Sequence, residues 1–376
     1  MGSTDHYFYA VNCSNGTLKW RLKIDSWDPS PSVSKGVVYV GSEDNYLYAI
    51  NCSDGSLKWR FLTGDAIHST PCISEGVVYI GSDDYYLYAI NCSDGSLIWK
   101  YKTGWYVFSS PCISDGVVYF GSNDTYLYAI SSLDANLKWR YKTYSEVYSS
   151  PCVLAGDVFV GSNDWYLYSI NKSDGSFQWR YETESWVFSS PCASDGVVYV
   201  GSRDFSLYAI NCSTGSLKWK YRTGRYIYSS PCISDGVVYI GSQDNYLYAI
   251  NCPDGALKWK FQTGIWVDSS PCVSDGVVYV GSLDSYLYAI ETYGYTGFKA
   301  NKSASYIPSK SFSVSPNPFT DRLTISLPSS ASIYSLTGQL IMKLDKGKHS
   351  LDTSKWREGV YIVKAGKECK RVVKVN

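Results

Sequence analysis

Apolar residues fall along most of this chain in short alternating runs broken by Gly, Asp, Asn and Ser, the pattern of half-buried strands. Residues 107–143 show it in full. Val107–Ile113, Val117–Gly121, Tyr126–Ile130 and Asn136–Tyr141 read as four strands, separated by Ser-Asp-Gly, Asn-Asp and Asp-containing turns. Each is near the mean strand length, and the tight turns predict one antiparallel meander. A 3.6-residue apolar period is absent, so no amphipathic helix is expected.

The unit recurs. Ser-Ser-Pro-Cys-Ile-Ser-Asp-Gly-Val-Val-Tyr at 109–119 returns at 229–239, with close variants from 69, 149, 189 and 269, a pitch of 40 residues. Gly-Ser-x-Asp begins at Gly41, Gly81, Gly121, Gly161, Gly201, Gly241 and Gly281, and once more at Gly2. Four-stranded units at this pitch are the signature of β-propeller blades. The Ser-Pro, Val-Val-Tyr and Leu-Lys-Trp strands each occur seven times and the Tyr-Leu-Tyr-Ala-Ile strand eight times. This predicts a seven-bladed propeller over residues 1–290, in which the orphan N-terminal strand Thr17–Leu22 seals the last blade. Eight blades would need three further strands from a longer chain. Trp20, Trp59, Trp99, Trp139, Trp179, Trp219 and Trp259 recur once per unit and are expected to wedge between neighbouring blades.

The unit Gly-Val-Val-Tyr-Val-Gly-Ser-x-Asp-x-Tyr-Leu-Tyr-Ala-Ile-Asn-x-Ser-Asp-Gly-Ser-Leu-Lys-Trp resembles the pyrroloquinoline-quinone-type (PQQ-like) propeller repeat. A WD-type repeat does not fit, because Trp-Asp occurs once only, at Trp27-Asp28.

Composition agrees with an all-β chain: 36 Tyr and 13 Trp stand against 2 Met, with 31 Gly. No apolar run approaches the ~18 residues of a membrane-spanning helix. Thirty-four basic and 34 acidic residues cancel, so no nucleic-acid partner is expected. Neutrality conceals an asymmetry, since residues 307–376 carry twelve basic and five acidic side chains.

After a Ser-, Lys- and Gly-rich stretch at 291–311, read as a linker, a second domain is expected over 312–376. Its strands Leu323–Leu327, Ala331–Ser335, Gln339–Lys343 and Val360–Lys364 predict a small Ig-like β-sandwich. Ser315-Pro316-Asn317-Pro318, Ile333–Ile341 with Gly338, Leu351-Asp352-Thr353-Ser354, Gly359-Val360-Tyr361-Ile362-Val363 and Lys370–Val375 with Lys374 together resemble the type A C-terminal sorting domain of the type IX secretion system of Bacteroidota. That resemblance implies the type IX secretion machinery as a partner, export across the outer membrane, and release or attachment at the cell surface. Such cargo needs a signal peptide, yet Met1-Gly2-Ser3-Thr4-Asp5-His6 has no charged region followed by an apolar one. The natural chain is therefore expected to start further upstream.

Little in the repeat points to catalysis. In the PQQ-like family, quinone and Ca²⁺ binding relies on an adjacent Cys-Cys pair with acidic and amide ligands; no two cysteines here are adjacent. The repeated Asp44, Asp84, Asp124, Asp164, Asp204, Asp244 and Asp284 read as turn caps. His6, His68 and His349 lack metal-site spacing. No enzyme activity, cofactor or metal is expected. Eleven of the twelve cysteines recur after Pro or after Asn; they read as thiols packing between blades, with Cys52–Cys72, Cys92–Cys112, Cys212–Cys232 and Cys252–Cys272 the alternative disulfide pairing. The Asn-x-Ser/Thr sequons read as by-products of the turns in a bacterial chain.

A meander alternates its turns between two faces, so the turn joining strands two and three shares a face with the connection between blades. On this face the repeats diverge, and it carries aromatic and charged residues: Trp27, His68, Trp105, Tyr106, Glu146, Trp165, Trp186, Arg203, Arg225, Tyr226 and Trp266. Variable loops on a rigid ring suit recognition. The same aromatics would equally serve by packing against neighbouring blades. The expected function is a secreted or surface-displayed, non-catalytic propeller that binds an extracellular protein or polysaccharide as a monomer. The alternatives are an assembly scaffold like the outer-membrane lipoprotein of the BamB type and, third, a quinone-dependent dehydrogenase.

Overall fold

In the computed structural model, residues 2, 5–13, 15–25, 30–292, 297–301, 313–315, 322–327, 330–335, 340–357, 359–365 and 368–374 are described. The chain divides into two compact units, 1–302 and 303–376.

The first unit opens with a two-stranded sheet, β1 (Tyr7–Val11) and β2 (Leu18–Lys23). A four-stranded antiparallel sheet follows: β3 (Pro31–Ser34), β4 (Val37–Gly41), β5 (Tyr46–Asn51) and β6 (Leu57–Leu62). Six more sheets repeat it over residues 72–102, 112–142, 152–182, 192–222, 232–262 and 272–301. The first strands of successive blades touch one another, which makes them the inner ring.

Apolar area is buried chiefly between blades. Val38, Val40, Leu47, Ala49 and Ile50 and their counterparts are at or near zero exposure, in clusters that each span two consecutive blades. The tryptophans wedge as expected. Each indole N–H donates to a carbonyl of the next blade: Trp59 to Cys92 at 3.0 Å, Trp139 to Lys172 at 3.0 Å and Trp179 to Cys212 at 2.7 Å. Gly95 must be glycine at this contact, because its φ is +75° and a Cβ would lie 2.8 Å from the Trp59 ring.

The repeated aspartates cap turns, and they also join blades. Asp124 accepts the N–H of Tyr126 at 3.1 Å, the Tyr128 hydroxyl at 2.7 Å and the N–H of Gly104, from the preceding blade, at 2.7 Å. The eleven described cysteines are free thiols. Burial pushes the Cys212 thiol up to about 11.

Ring closure differs from the expectation. The seven full blades are present, but the N-terminal segment does not supply the outer strand of the last. Gly297–Asn301, in the stretch expected to be linker, takes that place, pairing Ala289 with Phe298 where other blades pair Ala with Trp. β2 pairs with β1 instead (Phe8↔Leu22, Tyr9↔Arg21), because a hairpin closes a shorter loop than a contact spanning the ring.

Among its described residues, the second unit holds seven strands in two sheets. Ser313–Ser315, Arg322–Leu327 and Gly347–Asp352 form one sheet; Leu340–Leu344, Ala331–Ser335, Gly359–Ala365 and Glu368–Lys374 form the other. Leu323, Ile325, Ala331, Ile333, Leu344, Tyr361 and Val363 make its core.

Candidate functional site

Backbone hydrogen bonds assign the turns to faces. The N–H of Cys92 donates to Gly76 O at 2.9 Å, which joins the first and third turns of a blade. On the other face, the variable residue of Gly-Ser-x-Asp donates to the connection that leads into its own blade: Asp83 to Ala66 at 2.9 Å, Asn123 to Tyr106 at 2.9 Å, Asn163 to Glu146 at 3.0 Å, Arg203 to Trp186 at 3.0 Å, Gln243 to Tyr226 at 3.0 Å and Leu283 to Trp266 at 3.0 Å. The two divergent loops are thus held together, blade by blade, at one mouth.

Side chains at this mouth form two clusters. In the first, Trp105 is half exposed and stacks on Tyr85 (centroids 5.6 Å apart, 14° between planes), with Tyr106 at 5.4 Å from both. In the second, the Arg203 guanidinium lies 4.4 Å from the Trp186 ring, 4.9 Å from Tyr226 and 5.4 Å from Tyr228. Phe205 meets Tyr226 edge-on at 5.0 Å. Beside them, Arg225 lies over Trp266 at 5.2 Å.

His68 and four residues not singled out from the sequence bridge the clusters. His68, Phe108, Tyr148, Phe188 and Tyr228 lie one per blade, with successive centroids 5.0, 5.3, 5.0 and 5.6 Å apart, an aromatic arc around the mouth. Their common place, immediately before Ser-Ser/Thr-Pro, was the available signal.

His68 also holds its Nε2 3.4 Å from the Asp83 carboxylate. That contact raises the imidazole pKa above its ordinary value, against an opposing effect of burial, with Glu43 and Asp65 adding to the rise. Glu146 accepts the Ser145 hydroxyl at 2.5 Å, which lowers its carboxyl pKa. Oδ1 of Asp83, Asn123 and Asn163 and Nε of Arg203 are buried without a protein hydrogen-bond partner. Such groups demand water or a ligand.

Trp165 stands outside both ring clusters, half exposed, at a φ of +78°. The same turn position holds Asn45, Tyr85, Thr125, Phe205, Asn245 and Ser285, all with φ between 73° and 77°. Asn tolerates this region at little cost; Trp, Tyr and Phe do not.

Trp27 lies outside the described residues, as do Pro316, Asn317, Pro318 and Gly338 of the sorting motifs. Of the others, Asp352 caps a turn by accepting the Ser354 N–H at 3.0 Å, Tyr361 donates to Arg357 O at 2.8 Å, Gly359 begins a strand and Lys374 ends one. A separate cavity of about 360 Å³ lies at the inner strands, lined by Val33, Pro71, Cys72 and Ile73 among others.

No group of three or more His, Cys, Asp or Glu side chains positioned to hold a metal occurs among the described residues. The repeated aspartates are already engaged in turns and blade contacts, and the cysteines of the repeats are dispersed between the first strands and the third turns of the blades. This donor set does not fit a quinone with its Ca²⁺.

Fold and repeat define a PQQ-like β-propeller followed by a type IX sorting domain. The chain belongs to the family described as "Beta-alanine-activating enzyme, beta-propeller", whose model matches residues 1–237. Residues 224–297 match the model for outer membrane protein assembly factor BamB, and residues 313–375 that for the secretion system C-terminal sorting domain. No curated protein matches the chain. Among solved structures, BamB from Moraxella catarrhalis is similar at 15% identity and TM-score 0.64, covering 78% of this chain and 90% of its own. The computationally designed protein Ika8 is similar at 13% identity and TM-score 0.65, covering 93% of this chain and 98% of its own. A europium-containing methanol dehydrogenase is similar at 10% identity and TM-score 0.62, with 75% and 78% covered. At these identities the likeness is one of fold.

Proposed function

We propose that the protein is a secreted or surface-attached, non-catalytic recognition propeller that binds an extracellular polysaccharide or protein through its variable mouth. The observation that carries this reading is the coupling of the two divergent loops of each blade on one face, where Trp105, Trp186 and Arg225 are exposed. Exposed indoles on a rigid frame present large apolar area with little conformational entropy to lose, and their faces stack on sugar rings or fill pockets in a protein. Export rests on the sorting domain at 313–375.

The test is a binding screen of the full chain against a panel of bacterial and plant polysaccharides and outer-membrane proteins. Trp105→Ala and Trp186→Ala should each weaken any ligand found by about tenfold or more, whereas Asp94→Ala on the opposite face should not. Equal loss from both faces, or stoichiometric quinone binding with alcohol oxidation, overturns the reading. The match of residues 224–297 to the BamB model favours a second reading, a scaffold that holds partner proteins at the same mouth. A protein ligand from the assembly machinery, with no affinity for any polysaccharide, would select it.

A further inference from the structure

One blade differs from the rest at three positions that share the mouth: the variable residue of Gly-Ser-x-Asp, the last residue of the fourth strand, and the third residue after it. In the blade of residues 192–222 all three are arginine, Arg203, Arg222 and Arg225. Arg222 pairs with Ser206, the first strand residue beyond the mouth turn, so it sits at the same end of the blade as Arg203. The blade before carries Asn163, Glu182 and Ser185 at these places, and the blade after carries Gln243, Gln262 and Ile265. Each of the other full blades has at most one cation among the three, Lys102 or Lys142. Both neighbouring blades keep the same strand pairing, so the fold does not require a guanidinium at any of these positions.

Each of the three heads is laid on an aromatic face. Arg203 meets Trp186, Tyr226 and Tyr228, Arg222 lies 5.6 Å from the Phe205 centroid, and Arg225 lies over Trp266. Phe205 touches Tyr226, so Arg203 and Arg222 belong to one continuous surface, and Arg225 adjoins it through the chain. The three ion pairs among the described residues, His68–Asp83, Lys172–Asp115 and Lys220–Glu184, involve none of these arginines. The nearby carboxylates are engaged elsewhere. Asp204 and Asp244 accept turn N–H groups and the hydroxyls of Tyr208 and Tyr248, and Asp268 accepts the Gln243 amide at 3.2 Å. Nε of Arg203 is buried with no protein acceptor. A guanidinium taken from water without a counter-charge is costly, and neither strand pairing nor an ion pair repays that cost here.

We propose that this sector of the mouth binds an anionic polysaccharide, whose carboxylate or sulfate groups pair with Arg203, Arg222 and Arg225. The proposal rests on the recognition reading and names its ligand class. Planar guanidiniums held on aromatic faces are oriented in advance for oxyanions, and three of them suit a chain whose charge repeats. Trp186, 40% exposed beside Arg203, gives a sugar ring an apolar surface. At the turn position of Arg203, the two preceding blades hold Asn123 and Asn163, whose buried Oδ1 atoms lack a protein donor. Sugar hydroxyls supply such donors along the whole length of a polysaccharide, and an acidic peptide does not. The first full blade has Glu43 and Asp65 at the places of Arg203 and Arg225. Like charge there repels a polyanion and confines it to the arginine sector.

The experiment titrates the full chain with polygalacturonate, alginate and dextran sulfate, and with two controls, methyl-esterified polygalacturonate and polyglutamate. Expected is saturable binding of a polyuronate or of dextran sulfate, the stronger of the two telling carboxylate from sulfate, with both controls weaker by about tenfold or more. Added salt should weaken it. Arg222→Gln and Arg225→Gln alter exposed side chains, and Arg203→Gln installs the residue that Gln243 already provides in the next blade. Each should weaken binding by about tenfold with the melting temperature retained, whereas Arg60→Gln, which removes a guanidinium lying 4.3 Å from the Tyr46 centroid in the first full blade, should not. No binding of any of the three polyanions, or binding that the arginine variants leave unchanged, overturns the proposal. Polyglutamate bound as tightly as the polysaccharides overturns it as well and makes an acidic protein segment the partner. An uncharged polysaccharide or a protein whose binding needs Trp105 and not the arginines overturns the anionic assignment alone and leaves recognition at the mouth intact.

Discussion

Asp124 and Gly104 belong to neighbouring blades, and the carboxylate of one accepts the backbone N–H of the other at 2.7 Å. Because the same carboxylate also caps its own turn and takes the Tyr128 hydroxyl, a single side chain fixes both a blade and the blade's neighbour. Asp124→Ala leaves three donors without their partner, one of them on the buried Tyr128. Charged hydrogen bonds contribute more than neutral ones, so a loss of about 3 kcal/mol is expected, read as a shift of the denaturation midpoint. Asp124→Asn keeps an acceptor for the turn and should lose less than half as much. Equal losses would show that the carboxylate's bonds to the turn contribute nothing.

Trp165 separates stability from recognition. Its backbone lies at φ +78°, where an L-residue with a bulky side chain is strained and Asn is tolerated. Asn245 already occupies the equivalent turn at φ +73°. Trp165→Asn should therefore raise stability by up to about 1 kcal/mol while weakening the ligand. A variant that is less stable would mean that the indole packs for structure and is not held out for contact.

The pH dependence of the mouth centres on His68. Asp83 raises the imidazole pKa, so the folded state holds the proton more tightly than the unfolded chain does. The stability this pair adds is complete below the ordinary imidazole value of about 6.5 and is lost as pH rises through the raised folded-state value. NMR titration should place His68 above that ordinary value, and Asp83→Asn should bring it down. An unchanged midpoint in the variant would assign the shift to other groups.

The repeat, the strands, the tryptophan wedge and the aspartate caps were legible because each is a local pattern copied at fixed pitch. Ring closure was not. Gly297–Asn301 lacks the Leu-Lys-Trp text of its counterparts, so Phe298 in the tryptophan's place gave no signal. The arc from His68 to Tyr228 was hidden for another reason. Its members lie 40 residues apart, and only the curvature of the ring brings each within about 5–6 Å of the next. Variation between repeats singled out one face, while the composition of single loops did not show which side chains meet there.

The last prediction concerns export. Glu368–Lys374 pairs along its length with Gly359–Ala365, from Gly359↔Lys374 to Ala365↔Glu368, and so forms an edge of the four-stranded sheet in the second unit. The same residues carry the closing Lys-Arg-Val-Val-Lys-Val motif. Residues 306–376 fused behind a signal peptide and a reporter should carry the reporter out of a type IX-competent cell. Removing residues 370–376 deletes most of that edge strand and exposes its neighbour, so the shortened fusion should stay in the periplasm. Circular dichroism of the shortened unit distinguishes a lost signal from a lost fold. If it remains folded and is retained, the strand itself is read by the secretion machinery; if both fusions reach the medium equally, these residues play no part in sorting.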